Sequence, residues 1–197
     1  LATTIVFLYP VLVAFIMVFL KVYPTWQVWV SIFLTFVGVV ILSRPSGNVS
    51  LNAVGLLLAG GSALAYALYL VVVNRSRRLR TVSNHLLTFY ALLIGSLVFL
   101  LHNLIGGGGL MTGIHGWYCW FNIIGLAIFP TLVSLLTLAI ATRIIGATRT
   151  SVLGVFEPVT AIAVGTIFFG ESLTVNVIVG VVITLVAVTF MVLTGKK

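Results

Sequence analysis

Charged side chains are scarce in this sequence. Lys, Arg, Asp and Glu make up 6% of its 197 residues, and only two residues are acidic. A soluble domain carries about 25% charged residues, whereas 61% of this chain is hydrophobic. So much apolar surface cannot be hidden in a water-soluble core of this size. The composition therefore excludes a soluble protein and predicts an integral membrane protein.

Several signals of other functions are also missing. The single cysteine, Cys119, excludes an internal disulfide. His85, His102 and His115 lie at predicted helix ends or in loops without metal-ligand spacing, so we predict no metal and no cofactor. No nucleotide-binding motif suggests ATP-driven pumping. The net charge of +8 is ascribed to basic residues at membrane-helix ends, and no nucleic-acid partner is predicted.

Apolar runs of membrane-spanning length follow one another along the chain. A hydrocarbon core of about 30 Å needs roughly 20 apolar residues per helix, and helices satisfy their own backbone in lipid. Seven segments meet this length, at about 2–20, 26–43, 52–73, 84–102, 118–142, 149–169 and 173–194. The predicted fold class is an all-α integral membrane protein with about seven transmembrane helices.

The basic residues divide unequally between the two predicted sides of the membrane. Only Arg44 falls on the side opposite to the end of the first segment. The other nine are Lys21, Arg75, Arg77, Arg78, Arg80, Arg143, Arg149, Lys196 and Lys197. Because basic residues concentrate on the cytoplasmic side, we predict a multi-pass protein of the cell membrane with a cytoplasmic C-terminus.

The last two predicted helices form a weak internal sequence repeat with the first two predicted helices. Tyr9-Pro10 aligns with Glu157-Pro158, with one extra residue allowed further on. The later aligned pairs are Phe19 with Phe168, Thr25 with Thr174 and Thr35 with Thr184. The copies are five predicted helices apart, and an odd repeat length inverts one copy in the membrane. Inverted repeats are typical of secondary transporters, whose substrate sites lie near the bilayer midplane.

The second copy carries the motif of a known family. It reads S-x-x-x-x-x-E-P-V-x-A, an apolar stretch and then G-E-x-L, at Ser151, Glu157, Pro158, Val159, Ala161, Gly170, Glu171 and Leu173. This pattern resembles the end of an EamA-type repeat of the drug/metabolite transporter superfamily. The resemblance implies ten helices in two inverted five-helix repeats, cytoplasmic termini, and export or exchange of small metabolites. The first copy departs from it at Lys21-Val22-Tyr23, where the Gly-Glu pair is absent.

The resemblance also implies a division of the chain near residue 45. Residues 1–45 are predicted to be the C-terminal end of a first EamA-like repeat, with two helices. Residues 46–197 are predicted to be a complete second repeat of five helices. The chain begins with Leu1 and passes directly into an apolar run, so we expect a fragment that lacks the first three helices.

Glu157 is the sharpest candidate for substrate binding. It is the only carboxylate within an apolar segment, and ionisable groups at membrane depth usually face a bundle interior or a wet cavity. We predict that it binds a substrate amine or couples transport to protons, and the alternative is a structural carboxylate tied to neighbouring hydroxyls. The other candidate substrate contacts are hydroxyl-bearing residues of predicted helices, namely Tyr9, Ser62, Tyr66, Tyr69, Thr131, Ser134 and Thr160.

Three prolines within predicted helices are candidate hinges. Pro10, Pro130 and Pro158 lack an N–H group, and each is expected to free the carbonyl four residues earlier, which for Pro158 is that of Gly154. A freed carbonyl supplies polar backbone where a cavity can use it. A simple packing kink is the alternative.

A stripe of small residues lies in the third predicted helix. Its members recur every four positions, so they share one face and permit the close approach of a neighbour. They are Gly55, Ala59, Ala63 and Ala67. We expect this face to pack against another helix rather than to bind a ligand.

Two classes of function are open at this stage. The first is a secondary transporter, an exporter or exchanger of small metabolites or drugs by alternating access, with no enzymatic activity and with a small-molecule substrate and membrane lipids as partners. The second is a structural or lipid-scrambling membrane protein, or an inactive truncated transporter. The sequence also leaves open whether the protein forms a homodimer. A seven-helix photoreceptor is not favoured, because the seventh segment has no lysine to hold retinal. An intramembrane protease is not favoured either, because no histidine at membrane depth could activate Ser62 as a nucleophile.

Overall fold

A computed structural model describes residues 5–42, 53–106, 116–154, 156–170 and 174–194. Its regular elements over these ranges are helices joined by turns, so the predicted all-α class is confirmed for this part of the chain. The helices are α1 (Tyr9–Phe19), α2 (Trp26–Leu42), α3 (Ala53–Arg75), α4 (Arg77–Arg80), α5 (Asn84–Ile105), α6 (Trp117–Leu126), α7 (Ser134–Ile145), α8 (Ala147–Leu153), α9 (Phe156–Phe169) and α10 (Val175–Thr194). A π-helical segment, Ala127–Val133, joins α6 to α7.

Four stretches are long and apolar enough to cross a membrane, and the last of them runs over residue 155, which lies outside the described residues. They are Ala53–Arg75, Asn84–Ile105, Trp117–Ile145 and Ala147–Phe169. Shorter apolar helices lie at Tyr9–Phe19, Trp26–Ile41 and Val175–Met191. These lengths and compositions support a multi-pass membrane protein, while the count of seven spans stays a prediction.

The chain forms two compact units. Unit I comprises Leu1–Arg75 and Ile145–Lys197, and unit II comprises Ser76–Ile144. In unit I, α1 packs against α3 and α8, and α2 packs along α10. Unit I also holds a buried apolar cluster with members from four helices, namely Ala14, Ile32, Val152, Val188 and Met191.

The stripe of small residues on α3 is buried at three of its four positions. Ala59, Ala63 and Ala67 are all buried, whereas Gly55 at the start of the helix is exposed. Small side chains allow two helix backbones to approach closely in a membrane, where packing rather than hydrophobicity drives association. The predicted packing role of the stripe is confirmed for its three alanines.

The α2–α10 pair depends on a glycine. Gly38 of α2 lies against the hydroxyl of Thr184 and within reach of the Gly180 carbonyl of α10. Further towards the start of α2, Trp26 lies beside Phe190, with ring centroids 6.1 Å apart. Residue numbers therefore rise along α2 as they fall along α10, so the two helices run antiparallel.

Within unit II, Arg143 links the end of α7 to the connection between α4 and α5 by hydrogen bonds. Its guanidinium donates hydrogen bonds to the carbonyls of Leu79 and Val82, at 2.7 and 2.8 Å. The Ser83 hydroxyl accepts the Leu86 N–H at 3.2 Å and caps the start of α5. Because hydrogen bonds from a charged donor are stronger than neutral ones, Arg143 holds the connection between α4 and α5 against the end of α7.

Candidate functional site

Two phenols meet where α1 packs on α3. Tyr9 is the first residue of α1 and only 3% exposed, and Tyr66 lies on α3. Their ring centroids are 4.7 Å apart, with an interplanar angle of 78°. This edge-to-face geometry is one that aromatic pairs prefer. The packing of α1 on α3 therefore brings together two of the predicted substrate contacts.

The membrane-length stretch that carries Glu157 is interrupted. Helix α8 ends at Leu153 with Gly154 as its C-cap, and α9 begins at Phe156. The Glu157 N–H donates to the Gly154 carbonyl at 3.1 Å. The prediction that Pro158 leaves this carbonyl free is therefore wrong. Pro158 lies in the first turn of α9, where a backbone N–H has no helical partner in any case.

The Tyr9 hydroxyl occupies the space beside this interruption. A Cβ atom added to Gly154 would overlap the hydroxyl and lie 3.3 Å from Tyr9 Cζ. The same Cβ would lie 3.4 Å from the Ser151 carbonyl oxygen. Glycine at this position thus allows the phenol of α1 to reach the end of α8. The sequence singled out Gly154 only for the carbonyl that Pro158 was expected to free.

The Glu157 carboxylate completes the cluster. It lies near the phenol pair, because the Glu157 N–H donates to the Gly154 carbonyl and the Tyr9 hydroxyl packs against Gly154. Glu157 also lies in the first turn of α9, where the partial positive charge of a helix N-terminus stabilises an anion. We call Tyr9, Tyr66 and Glu157 the phenol–carboxylate cluster.

One face of α9 forms an open groove of about 690 Å³ that begins at Glu157. Thr160, Ala161, Gly165 and Phe169 continue this face at helical spacing. The Thr160 hydroxyl donates to the backbone, since it lies 3.0 Å from the Phe156 carbonyl and 2.8 Å from that of Glu157. Thr160 therefore does not tie down the Glu157 carboxylate, which is exposed to the groove.

The other predicted substrate contacts and hinge prolines lie outside this cluster or affect only the backbone of their own helix. Ser62 lies one turn before Tyr66 on α3 and is exposed. Ser134 begins α7 of unit II and is also exposed. Pro10 lies in the first turn of α1, as Pro158 does in α9, so neither proline interrupts the helix that contains it.

Pro130 has a different effect, because it lies inside the π-helical segment. It cannot donate to the Leu126 carbonyl four residues earlier. The Thr131 hydroxyl donates to that carbonyl instead, at 2.9 Å. The polar backbone released by Pro130 is thus used within its own helix, and Thr131 is the residue that uses it.

The described residues bring no three His, Cys, Asp or Glu side chains close enough to hold a metal ion. Residues 53–193 match the EamA-like transporter family. The chain belongs to this family. The EamA match contains Glu157 and Tyr66, whereas Tyr9 precedes it. An uncharacterized transporter of Archaeoglobus fulgidus is 29% identical over 147 residues, which cover 75% of this chain and 50% of that protein. The EamA chain thus spans about half the length of the curated relative it matches.

Gly154→Ala tests the contact between Tyr9 and the end of α8. We expect the variant to be less stable by about 1–3 kcal/mol, the usual effect of overpacking. In a Tyr9→Phe background the hydroxyl is gone and only the Cζ contact is left, so the same substitution should destabilise less. Denaturant unfolding of the four proteins in detergent micelles measures this difference. Equal effects of Gly154→Ala in both backgrounds would contradict the contact.

Proposed function

We propose that this EamA protein is a secondary transporter that exports or exchanges small metabolites or drugs carrying an amine. The observation that carries the proposal is the phenol–carboxylate cluster of Tyr9, Tyr66 and Glu157. The cluster holds the only carboxylate among the described residues. A membrane-embedded carboxylate without a functional partner is costly, so its presence beside two aromatic rings calls for a cationic ligand.

The depth of Glu157 supports this role. It lies near the middle of Ala147–Phe169, a stretch long and apolar enough to cross a membrane. Substrate sites of secondary transporters lie near the bilayer midplane and use interrupted helices. The place of Glu157 in this stretch, at the start of α9, fits such a site.

The chemistry of the cluster suits an organic ammonium group. The carboxylate supplies the counter-charge and hydrogen-bond acceptors, and the half-buried ring of Tyr66 can attract a cation within about 6 Å of its face. The groove along α9 is lined mainly by apolar side chains, which suit the carbon skeleton of such a solute. These features favour an amphipathic amine over an inorganic ion.

Alternating access is the proposed mechanism, in the cell membrane with a cytoplasmic C-terminus. Three features support it: the interruption between α8 and α9, the antiparallel packing of α2 on α10, and the similar placing of Tyr9-Pro10 and Glu157-Pro158 in the first turns of their helices. The interruption lets α9 change its direction without breaking helical hydrogen bonds of α8. Proton coupling through Glu157 belongs to the same proposal.

Counterflow in liposomes tests the function. The complete purified protein is reconstituted, and uptake of a labelled amphipathic amine is measured with and without the unlabelled amine inside. A transporter that alternates between sides should take up the label faster when the unlabelled amine is trapped inside. Liposomes that scramble fluorescent lipids, yet show no protein-dependent uptake across a panel of amines, would favour the lipid-scrambling alternative and overturn the proposal.

A further inference from the structure

A second cavity lies at the opposite end of α8 from Glu157. Its volume is about 310 Å³, and it is bounded by the turn between α1 and α2 on one side and by the first turn of α8 on the other. Met17, Val28 and Ile145 supply apolar wall, whereas Thr25, Thr148 and Arg149 supply polar groups. Because the length of α8 separates this cavity from the phenol–carboxylate cluster, the two are distinct sites.

The wall formed by the α1–α2 turn has a defined geometry. Helix α1 ends with the Val22 N–H donating to the Met17 carbonyl and the Lys21 N–H donating to the Val18 carbonyl, both at 2.9 Å. This is a Schellman ending, which requires a left-handed residue and usually has glycine there. Lys21 takes that position with φ of 58°. The turn is therefore held in place although lysine rarely adopts this conformation.

Basic residues of unit I gather around the same end. Lys21 follows α1, Arg75 ends α3 and Arg149 lies in α8. The C-terminal end of α3 meets the N-terminal end of α8 there, since Asn74 Nδ2 lies 3.9 Å from the position of a Cβ added to Gly146. The only described carboxylate, Glu157, lies beyond the far end of α8. Of these three basic residues, Arg149 lines the cavity, and Lys21 directly precedes its lining residue Val22.

We propose that this cavity binds the phosphate group of an anionic membrane lipid, with Arg149 as its principal ligand. The planar guanidinium of arginine matches phosphate oxygens in geometry and charge. The hydroxyls of Thr25 and Thr148 are additional donors that line the same cavity. Inorganic phosphate shares this chemistry, but the apolar wall favours a lipid.

The position of the cavity also favours a lipid. Tyr23 lines it and is 74% exposed, as is typical of aromatic residues at a membrane–water interface. Anionic headgroups attract basic residues at this level. The apolar side chains of Met17, Val28 and Ile145 can contact the first carbons of the acyl chains. This site does not depend on the proposed transport of amines.

Lipid-induced thermal stabilisation in neutral detergent tests the site. The probes are short-chain phosphatidylglycerol, short-chain phosphatidylcholine and inorganic phosphate, each titrated onto the complete protein. We expect phosphatidylglycerol to raise Tm saturably. Arg149→Gln should weaken this effect about tenfold in apparent affinity, and Arg149→Lys should retain part of it. Arg77→Gln, which removes the same charge from unit II, should change it less than about twofold.

Three outcomes would overturn the proposal. The first is an unchanged response of Arg149→Gln, and the second is an equal loss in Arg77→Gln, which would indicate nonspecific attraction to positive charge. The third is equal stabilisation by inorganic phosphate or phosphatidylcholine at the same concentration, which would remove the assignment to an anionic lipid. Since Arg149→Lys keeps the positive charge, it provides a second reading if Arg149→Gln does not fold.

Discussion

Glu157→Gln is expected to lower the initial rate of amine transport about tenfold or more. Glutamine keeps the size of the side chain and its ability to accept a hydrogen bond, and it removes only the charge. Hydrogen bonds to a charged group contribute about 1.5–3 kcal/mol, and 1.4 kcal/mol corresponds to tenfold. Because Glu157 lies at an open groove and is not buried, we expect the lower end of this range. Counterflow in liposomes at equal protein content measures the rate.

The chain offers a matched control for this experiment. Glu171 is its only other carboxylate, and it lies outside the described residues. Glu171→Gln removes the same charge, and we expect it to leave more than half of the transport rate. An unchanged rate and pH dependence in Glu157→Gln would remove Glu157 from the substrate site. Loss in Glu157→Gln together with retained folding in detergent would place the defect in binding or coupling.

Gly38→Ala is expected to separate the α2–α10 pair. The new Cβ would overlap the Thr184 hydroxyl, and it would lie 3.0 Å from the Gly180 carbonyl oxygen and 3.2 Å from the Thr184 backbone nitrogen. The hydroxyl can rotate away, but the two backbone atoms move only if α10 moves. We expect a loss of about 1–3 kcal/mol in the free energy of unfolding, measured by denaturant titration in micelles.

Gly61→Ala provides the opposite case. Gly61 lies within α3, and a Cβ there meets no atom within 4 Å. Alanine is a better helix former than glycine by about 1 kcal/mol, so this variant should be as stable as the parent or more stable. Thr184→Ala should restore only part of the stability of Gly38→Ala, since the backbone contacts persist. Destabilisation of similar size in Gly38→Ala and Gly61→Ala would show that close helix approach at Gly38 is not the cause.

Glu157 and Gly38, the residues of these two predictions, differ in how easily the sequence alone identifies them. Glu157 stands out because a carboxylate in an apolar run is rare, and the motif around it pointed to the EamA family. Gly38 does not stand out, because glycine is frequent in this chain and a Cβ added at several of its glycines would meet no atom within 4 Å. The alanines of α3 were recognisable because they repeat at helical spacing. A single contact glycine has no such repetition.

The interruption at Gly154 could have been found in part. Gly154 weakens a helix, and Pro158 cannot donate to the Gly154 carbonyl four residues earlier. The proline alone suggested a freed carbonyl, but the structure shows that the helix restarts before the proline and that the Glu157 N–H uses this carbonyl. The approach of Tyr9 to Gly154 could not have been found, since it depends on the packing of α1 against α3 and α8.

The amino-acid sequence by itself determined the membrane class, the helical content, the presence of a carboxylate within an apolar segment and the family. These properties follow from local composition, because each apolar segment must satisfy its own backbone in hydrocarbon. The tertiary structure alone decided which residues meet: Tyr9 with Tyr66 and Gly154, Gly38 with Thr184, and Arg143 with the carbonyls before α5. The reason is that helices in lipid are apolar on every side, so no amphipathic pattern shows which face packs.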